Sequence, residues 1–305
     1  MTDNKYLFFD IECANCFGGN GKICSFGYAI CDEHFNITEC DDLVMNPESK
    51  FDWALFSKKI DVSLSYPKQT FLASPKFPHF YPKIQQLMTE YSGRVVGFAP
   101  KNDIGFLDYT CRRYGFDLPR TIVYDLVNIL HTKINENMKL VQWADRFGVN
   151  MSKLTAHNSM DDAKMTMFVL RGFCAENNIS LSDAIKSAEG TSIDTKRYLK
   201  QKKEAHLSKE YRQKIKQLYK ATHIIKEDRL HGQHYHIMLH KSADMKAKYE
   251  LSMKVCSFGG VLDPKINKNV TVVADDNRVN QVLDSDIAEL CRNVIGVQEL
   301  QKQLL

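Results

Sequence analysis

The first clear pattern in the chain is the apolar run "YLFFDIEC", which alternates like a half-buried strand yet carries Asp10 and Glu12 two residues apart. Positions i and i+2 of a strand share a face. The two carboxylates therefore project together while Phe9 and Ile11 face the other way. Two further stretches, "GKICSFGYAICDEHF" and "ITECDDLVMN", are rich in β-branched and aromatic residues and bounded by Gly, Asp and Asn. They predict two more strands joined by a short polar turn, and so a three-stranded antiparallel start. "FDWALFSKKI" and "PHFYPKIQQLMTEYSG" read as helical or irregular, with Pro punctuation. "RVVGFA" predicts a short strand, and "NDIGFLDYTCRRYGF" places Ile104, Leu107 and Cys111 at helical spacing. A strand at "TIVYDL", a helix in "MKLVQWADRFGV" and a long helix from about Asp161 to Asn177 follow. Strands first, then strands alternating with helices, predict an α/β fold with a mixed sheet and helices packed on it. After residue 230 the pattern predicts strand "YHIMLH", helix "SADMKAKYELSMKVCSF" closed by Gly259-Gly260, a short strand at "VLD", strand "NVTVVADDN" and a terminal helix "GVQELQKQLL".

At 305 residues and 44% hydrophobic, the chain can bury a core in each of two domains, or in one large domain with an appendage. No run approaches the ~18 apolar residues of a membrane span. The N-terminus is interrupted by acids and does not resemble a signal peptide. A soluble, cytoplasmic protein is expected. Nine cysteines, an odd number scattered through apolar contexts, suit a reducing compartment better than a disulfide framework. Cys13 and Cys16 form a C-x-x-C, but no second pair at zinc spacing follows.

The net charge is only +4, but its distribution is uneven: between Lys196 and Arg229, twelve Lys and Arg stand against four Asp and Glu, which leaves the rest of the chain net acidic. This segment is rich in helix formers, with Tyr198, Tyr211 and Tyr219 interleaved. It reads either as a solvated linker helix or as a nucleic-acid contact surface. Charge favours the second reading, because the rest of the chain is not itself basic and phosphate attraction needs a basic source. His231, His234, His236 and His240 read as half-exposed residues at a strand start rather than a metal cluster.

Two more acids stand out by position. Asp103 opens the helix after "RVVGFA", and Asp162 lies in the first turn of the helix in "TAHNSMDDAKMTMFVL". Singly, each is accounted for as a cap or a favourable helix-terminal charge. Together, these segments resemble the DEDD exonucleases with a histidine in the third motif, a family that includes the proofreading epsilon subunit of bacterial replicative polymerases and ribonuclease T. "FFDIEC" matches the first motif with Asp10 and Glu12, "VVGFAPKNDIGFL" the second with Asp103, and "HNSMDDA" the third with His157 and Asp162. Order and spacing agree over residues 5 to 175. Phe98-Ala99 stands where many members have His-Asn, and Cys13-Ala14 where Thr-Thr is frequent.

The resemblance implies a ribonuclease-H-like mixed sheet flanked by helices, with Asp10, Glu12, Asp103 and Asp162 as ligands of two magnesium or manganese ions. It implies His157 as the general base and Cys13 and Ala14 beside the terminal nucleotide. The activity it implies is 3′-to-5′ hydrolysis that releases nucleoside 5′-monophosphates. The chemistry agrees with such a set: carboxylates are hard oxygen ligands, and two ions about 3.5 to 4 Å apart activate water and stabilise the leaving oxygen. An imidazole with an ordinary pKa near 6.5, about neutral pH, suits a general base.

The C-terminal part resembles the BRCT module, a small α/β domain used for protein or DNA contacts, in its element order and its Gly pair. It lacks the Thr-Gly after the first strand and the late Trp that many such modules carry, since the tryptophans are Trp53 and Trp143. The expected organisation is an exonuclease domain over 1–180, a basic helical linker over 181–230 and a BRCT-like domain over 231–305. Single-stranded 3′ ends of DNA are the expected substrate, with a protein partner for the BRCT-like domain. An exoribonuclease and a catalytically silent nucleic-acid-binding scaffold are the alternatives, and retention of all four carboxylates and the histidine favours an enzyme.

Overall fold

The computed structural model describes residues 4–17, 20–56, 64–220, 227–240 and 244–304. The chain divides into two compact units, Met1–Leu199 and Lys200–Leu305.

The first unit contains β1 (Tyr6–Cys13), β2 (Ile23–Cys31), β3 (Ile37–Val44), α1 (Lys68–Ala73), α2 (Phe77–Glu90), β4 (Val95–Gly97), α3 (Lys101–Arg113), β5 (Ile122–Asp125), α4 (Leu126–Leu130), α5 (Leu140–Arg146), α6 (Ser159–Asn177), α7 (Leu181–Ser187) and β6 (Ile193–Asp194). A single 3-10 turn, Trp53–Phe56, stands in "FDWALFSKKI", whose last four residues lie outside the described ones. The chain leaves this unit within α8 (Thr195–Leu218).

The six strands form one sheet in the order β3-β2-β1-β4-β5-β6. β1, β2 and β3 pair antiparallel, β1–β4 and β4–β5 pair parallel, and β6 closes the edge antiparallel to β5. Packing on both faces of β1 follows from its alternation. Leu7, Phe9, Ile11 and Cys13 pack in one core with Ile84 and Leu87 of α2 and Ile104 and Leu107 of α3. Tyr6 and Phe8 pack in another with Trp143 of α5 and Val169, Leu170 and Phe173 of α6. Helices thus cover both faces, and β2 is buried along its whole length, as expected for a strand with neighbours on every side. α6 starts where the Asn158 side chain accepts from the Asp161 amide and ends at left-handed Asn178, which are the capping preferences of these residue types.

The second unit contains β7 (His234–Met238), α9 (Met245–Ser257), β8 (Val261–Leu262), β9 (Val270–Ala274), α10 (Val279–Leu283), α11 (Asp286–Leu290), β10 (Asn293–Gly296) and α12 (Val297–Gln303). Its four strands are all parallel, in the order β10-β9-β7-β8. Gly259 closes α9 with φ +85°, and a Cβ on Gly260 would lie 2.7 Å from Val255 Cγ1, so this position in particular must stay without a side chain. The elements α10, α11 and β10 are additions to those that periodicity predicts. Residues 221–226 of the basic segment and 242–243 of the expected helix lie outside the described ones. Among the described residues no helix is long and apolar enough to cross a membrane.

Candidate active site

Asp10 and Glu12 leave β1 on the face that carries Tyr6 and Phe8, as the alternation predicts. On β2, Gly27 stands opposite Asp10 and Ser25 opposite Glu12. A Cβ on Gly27 would fall 2.0 Å from backbone atoms of Ser159 and Met160. The missing side chain therefore admits the first turn of α6 directly against the sheet, beside the two acids. That turn carries Asp162.

One potential ligand atom each from Glu12, His157 and Asp162 lies within 4.8 Å of the others. His157 Nδ1 is 3.4 Å from Glu12 Oε1, and the His157 main-chain N–H donates to Asp162 Oδ2 at 3.0 Å. His157 takes a left-handed backbone conformation, φ 61°. Asp103 sits in the first turn of α3 and is buried.

The carboxyls report on one another electrostatically. Burial, and then the charges of Asp103, Glu12, Asp162 and Asp42, push Asp10 well above the ordinary carboxylate range. Burial and the Glu12 charge push Asp103 up to about 8. Burial and Glu12 push Asp162 up to about 7, partly offset by His157. Desolvated like charges of this kind favour either protons or cations. Carboxylate oxygens form a donor set that fits a hard divalent ion.

Cys13, the last residue of β1, and Ala14 after it both lie buried. The Ala14 N–H donates to Lys22 O and its carbonyl accepts from the Asp52 N–H, each at 2.8 Å. The Ala14 backbone groups are thus engaged within the fold, and its side chain is fully buried.

Two residues outside the expected set support the site. Asp125, at the end of β5, accepts from the Ala99 N–H at 3.0 Å and the Val127 N–H at 2.9 Å. It thereby fixes the turn into α3 that presents Asp103. Asp42, on β3, stands opposite Gly27, so Asp10, Gly27 and Asp42 form one row across three strands. The Ser159 Oγ–H donates to Asp42 Oδ1 at 2.7 Å. The only sequence signal for Asp42 is its place in the acidic pair of "ECDDL", and strand register decides its location.

Elsewhere, residues 200–207 of α8 are exposed on all sides, whereas Lys214 is held by Glu210 at 2.7 Å and lies over the Tyr211 and Tyr249 rings. His234 Nδ1 meets the Asp263 carboxylate at 2.6 Å and His236 Nδ1 the Asp263 carbonyl at 2.9 Å. Among the described residues, the one grouping of ligand atoms with metal-binding geometry is that at Glu12, His157 and Asp162.

Residues 7–170 match the family model described as exonuclease, of the RNase T type. The chain belongs to the exonuclease family. The matched span holds Asp10, Glu12, Asp103, His157 and Asp162. No curated protein sequence matches the chain. Among solved structures, this exonuclease is similar to exonuclease I of E. coli in complex with a dA16 oligonucleotide, at 15% identity and TM-score 0.46, over 60% of this chain and 42% of that one. It is similar also to the nuclease domain of a 3′-exonuclease of the DEDDh family bound to rAMP, at 14% identity and TM-score 0.46, over 58% of this chain and 94% of that one. A 3′-exonuclease that recognises a histone mRNA stem-loop aligns at 14% identity and TM-score 0.47, over 58% of this chain and 84% of that one. The exonuclease therefore spans less than half the length of the exonuclease I chain it matches.

Proposed function

We propose that the protein is a two-metal-dependent 3′-to-5′ exonuclease that hydrolyses single-stranded 3′ ends of DNA and releases nucleoside 5′-monophosphates. The observation that carries this reading is the convergence of Glu12, His157 and Asp162 within 4.8 Å, with Asp10 and Asp103 raising the electrostatic cost of an ion-free site.

In this reading Asp10, Glu12, Asp103 and Asp162 hold two magnesium or manganese ions, which when bound activate the attacking water and stabilise the leaving oxygen. His157 takes the proton of that water. Asp162 Oδ2, by accepting from the His157 main chain, keeps base and ligand in one geometry. Cys13 and Ala14 form a wall for the terminal nucleotide, with the Ala14 amide already committed to Lys22.

The division into an exonuclease domain over 1–180, a basic helical linker over 181–230 and a BRCT-like domain over 231–305 belongs to the same reading. The parallel order β8-β7-β9-β10 and the Gly pair after α9 support the last part, and through it a protein partner. The basic residues of α8 supply phosphate attraction. A relation to the epsilon proofreading subunits rests on the three motifs, and the odd count of nine cysteines favours a reducing cytoplasm.

Labelled single-stranded DNA and RNA, incubated with the protein and magnesium, manganese or chelator, test the reading. Metal-dependent shortening of DNA from the 3′ end is expected. Preference for RNA would make it an exoribonuclease, and binding without cleavage in any metal would make it a scaffold.

A further inference from the structure

The face of the sheet beside Asp10 holds a relay that joins Ser159, inside the third motif, to two residues that lie outside all three, Ser25 and Asp42. Ser159, the first residue of α6, is fully buried, and Ser25 nearly so. Their hydroxyl oxygens are 2.7 Å apart, and Ser159 donates its own proton to Asp42 Oδ1 at 2.7 Å. A hydroxyl has one proton to give, so Ser25 is the donor to Ser159. The relay therefore runs from Ser25 on β2 through Ser159 on α6 to Asp42 on β3.

Its position gives it leverage. Ser25 stands opposite Glu12 and Asp42 lies two strands from Asp10, in the same row. Between them, the bare Gly27 lets the α6 backbone touch the sheet. The first turn of α6 carries Asp162, and Asp162 holds the main chain of His157. A shift of the helix end would carry the ligand and the histidine together.

We propose that Asp42 is a positioning residue: by accepting the buried Ser159 hydroxyl it sets the height of the α6 N-terminus over the sheet, and so the placement of Asp162 and His157 for metal binding and hydrolysis. The inference rests on the exonuclease reading for its kinetic part and on the carboxylate cluster alone for its metal-binding part.

The test compares Asp42→Ala, Asp42→Asn, Ser159→Ala and the Asp42→Ala/Ser159→Ala double variant, at a temperature well below their melting points. Manganese binding is measured by calorimetry and turnover on a single-stranded DNA oligonucleotide. Misplacement of this kind costs about 10- to 100-fold in rate. Asp42→Ala and Ser159→Ala should each lower kcat by that range, leave KM within about twofold of the wild type, and weaken manganese binding. Asp42→Asn, which keeps an acceptor oxygen for Ser159, should restore both. The double variant should be no worse than either single one, as for two ends of one hydrogen bond.

Wild-type manganese affinity in Asp42→Ala would overturn the proposal, as would an Asp42→Asn variant as impaired as Asp42→Ala, because the carboxylate charge would then be what matters. If the wild type cleaves nothing, the exonuclease reading fails, and the calorimetry still decides the role of Asp42.

Discussion

Replacing Asp103 by Asn should stabilise the metal-free protein while removing its response to metal. Burial, reinforced by the Glu12 charge, lifts this carboxyl from its usual 3.8 to about 8. Across the intervening pH range the native state holds a proton that the unfolded chain has released. Stability therefore falls as pH rises from about 4 to about 8, the sign expected when the native state binds more protons. At 1.36 kcal/mol per unit, the gap at pH 7 is worth about 4 kcal/mol. This figure is a ceiling, because Asp10 and Glu12 share the same repulsion.

Asn has the shape of the protonated carboxyl and no charge to desolvate. Asp103→Asn should then gain about 2 to 4 kcal/mol at pH 7 to 8, and nothing below pH 4. At about 2 to 4 °C per kcal/mol for a domain of this size, the shift in Tm is several degrees. Thermal unfolding in chelator from pH 4 to 9 reads it directly. With manganese at a hundredfold excess over its dissociation constant, the wild type should recover about 2.7 kcal/mol and the variant much less. A variant that melts at or below the wild type in chelator at pH 8, or that gains as much from manganese, would refute the reasoning.

His157→Ala should keep the manganese-induced shift in Tm and lose about 10²- to 10⁴-fold in single-turnover rate; full activity from pH 6 to 9 would remove His157 as the base. Neutralising Lys200, Lys203 and Arg212 should flatten the salt dependence of single-stranded DNA binding by about 0.7 log–log units per lost contact. Lys214→Ala should leave it unchanged, since Glu210 already holds that ammonium, and equal slopes throughout would return α8 to a spacer. Gly27→Ala forces a Cβ to within 2.0 Å of the α6 backbone and should cost about 1 to 3 kcal/mol, as overpacking does, with weaker manganese binding; an unchanged Tm would show that α6 yields freely.

Strand alternation alone suffices to put Asp10 and Glu12 on one face, because the period of two is local and strong in "YLFFDIEC". The order of motifs is likewise a property of the chain and brings His157 and Asp162 together across one helix cap. What alternation leaves open is register. Asp42 sits in a polar, exposed strand, and nothing local distinguishes it from Asp41 until β3 pairs with β2 and sets it opposite Gly27. Gly27 itself reads as an ordinary weak point in a strand, and its necessity emerges only when α6 crosses it. The second unit shows the same boundary. Long periodic segments announce β7, α9 and β9, whereas β10 has four residues between short helices, too few for a period to register.

The backbone at the site carries strain as well as charge. Ala99 and His157 both occupy the left-handed region, at φ 50° and 61°, a conformation that costs a non-glycine residue roughly 1 to 2 kcal/mol. Each lies a few residues before an acid of the cluster, Asp103 or Asp162, and each has its N–H held by a carboxylate, that of Asp125 or of Asp162 itself. A charge-assisted hydrogen bond contributes about 1.5 to 3 kcal/mol, enough to offset the strain. The two turns that present Asp103 and Asp162 are therefore held in place by acids rather than by sequence-local preference. The consequence reaches the metal site: Asp162 accepts from His157 while also belonging to the cluster, so any cation it binds competes with that backbone N–H for the same carboxylate. Occupancy and the pose of His157 are coupled through a single side chain, which is why substitution at Asp162 should disturb both and substitution at His157 only one.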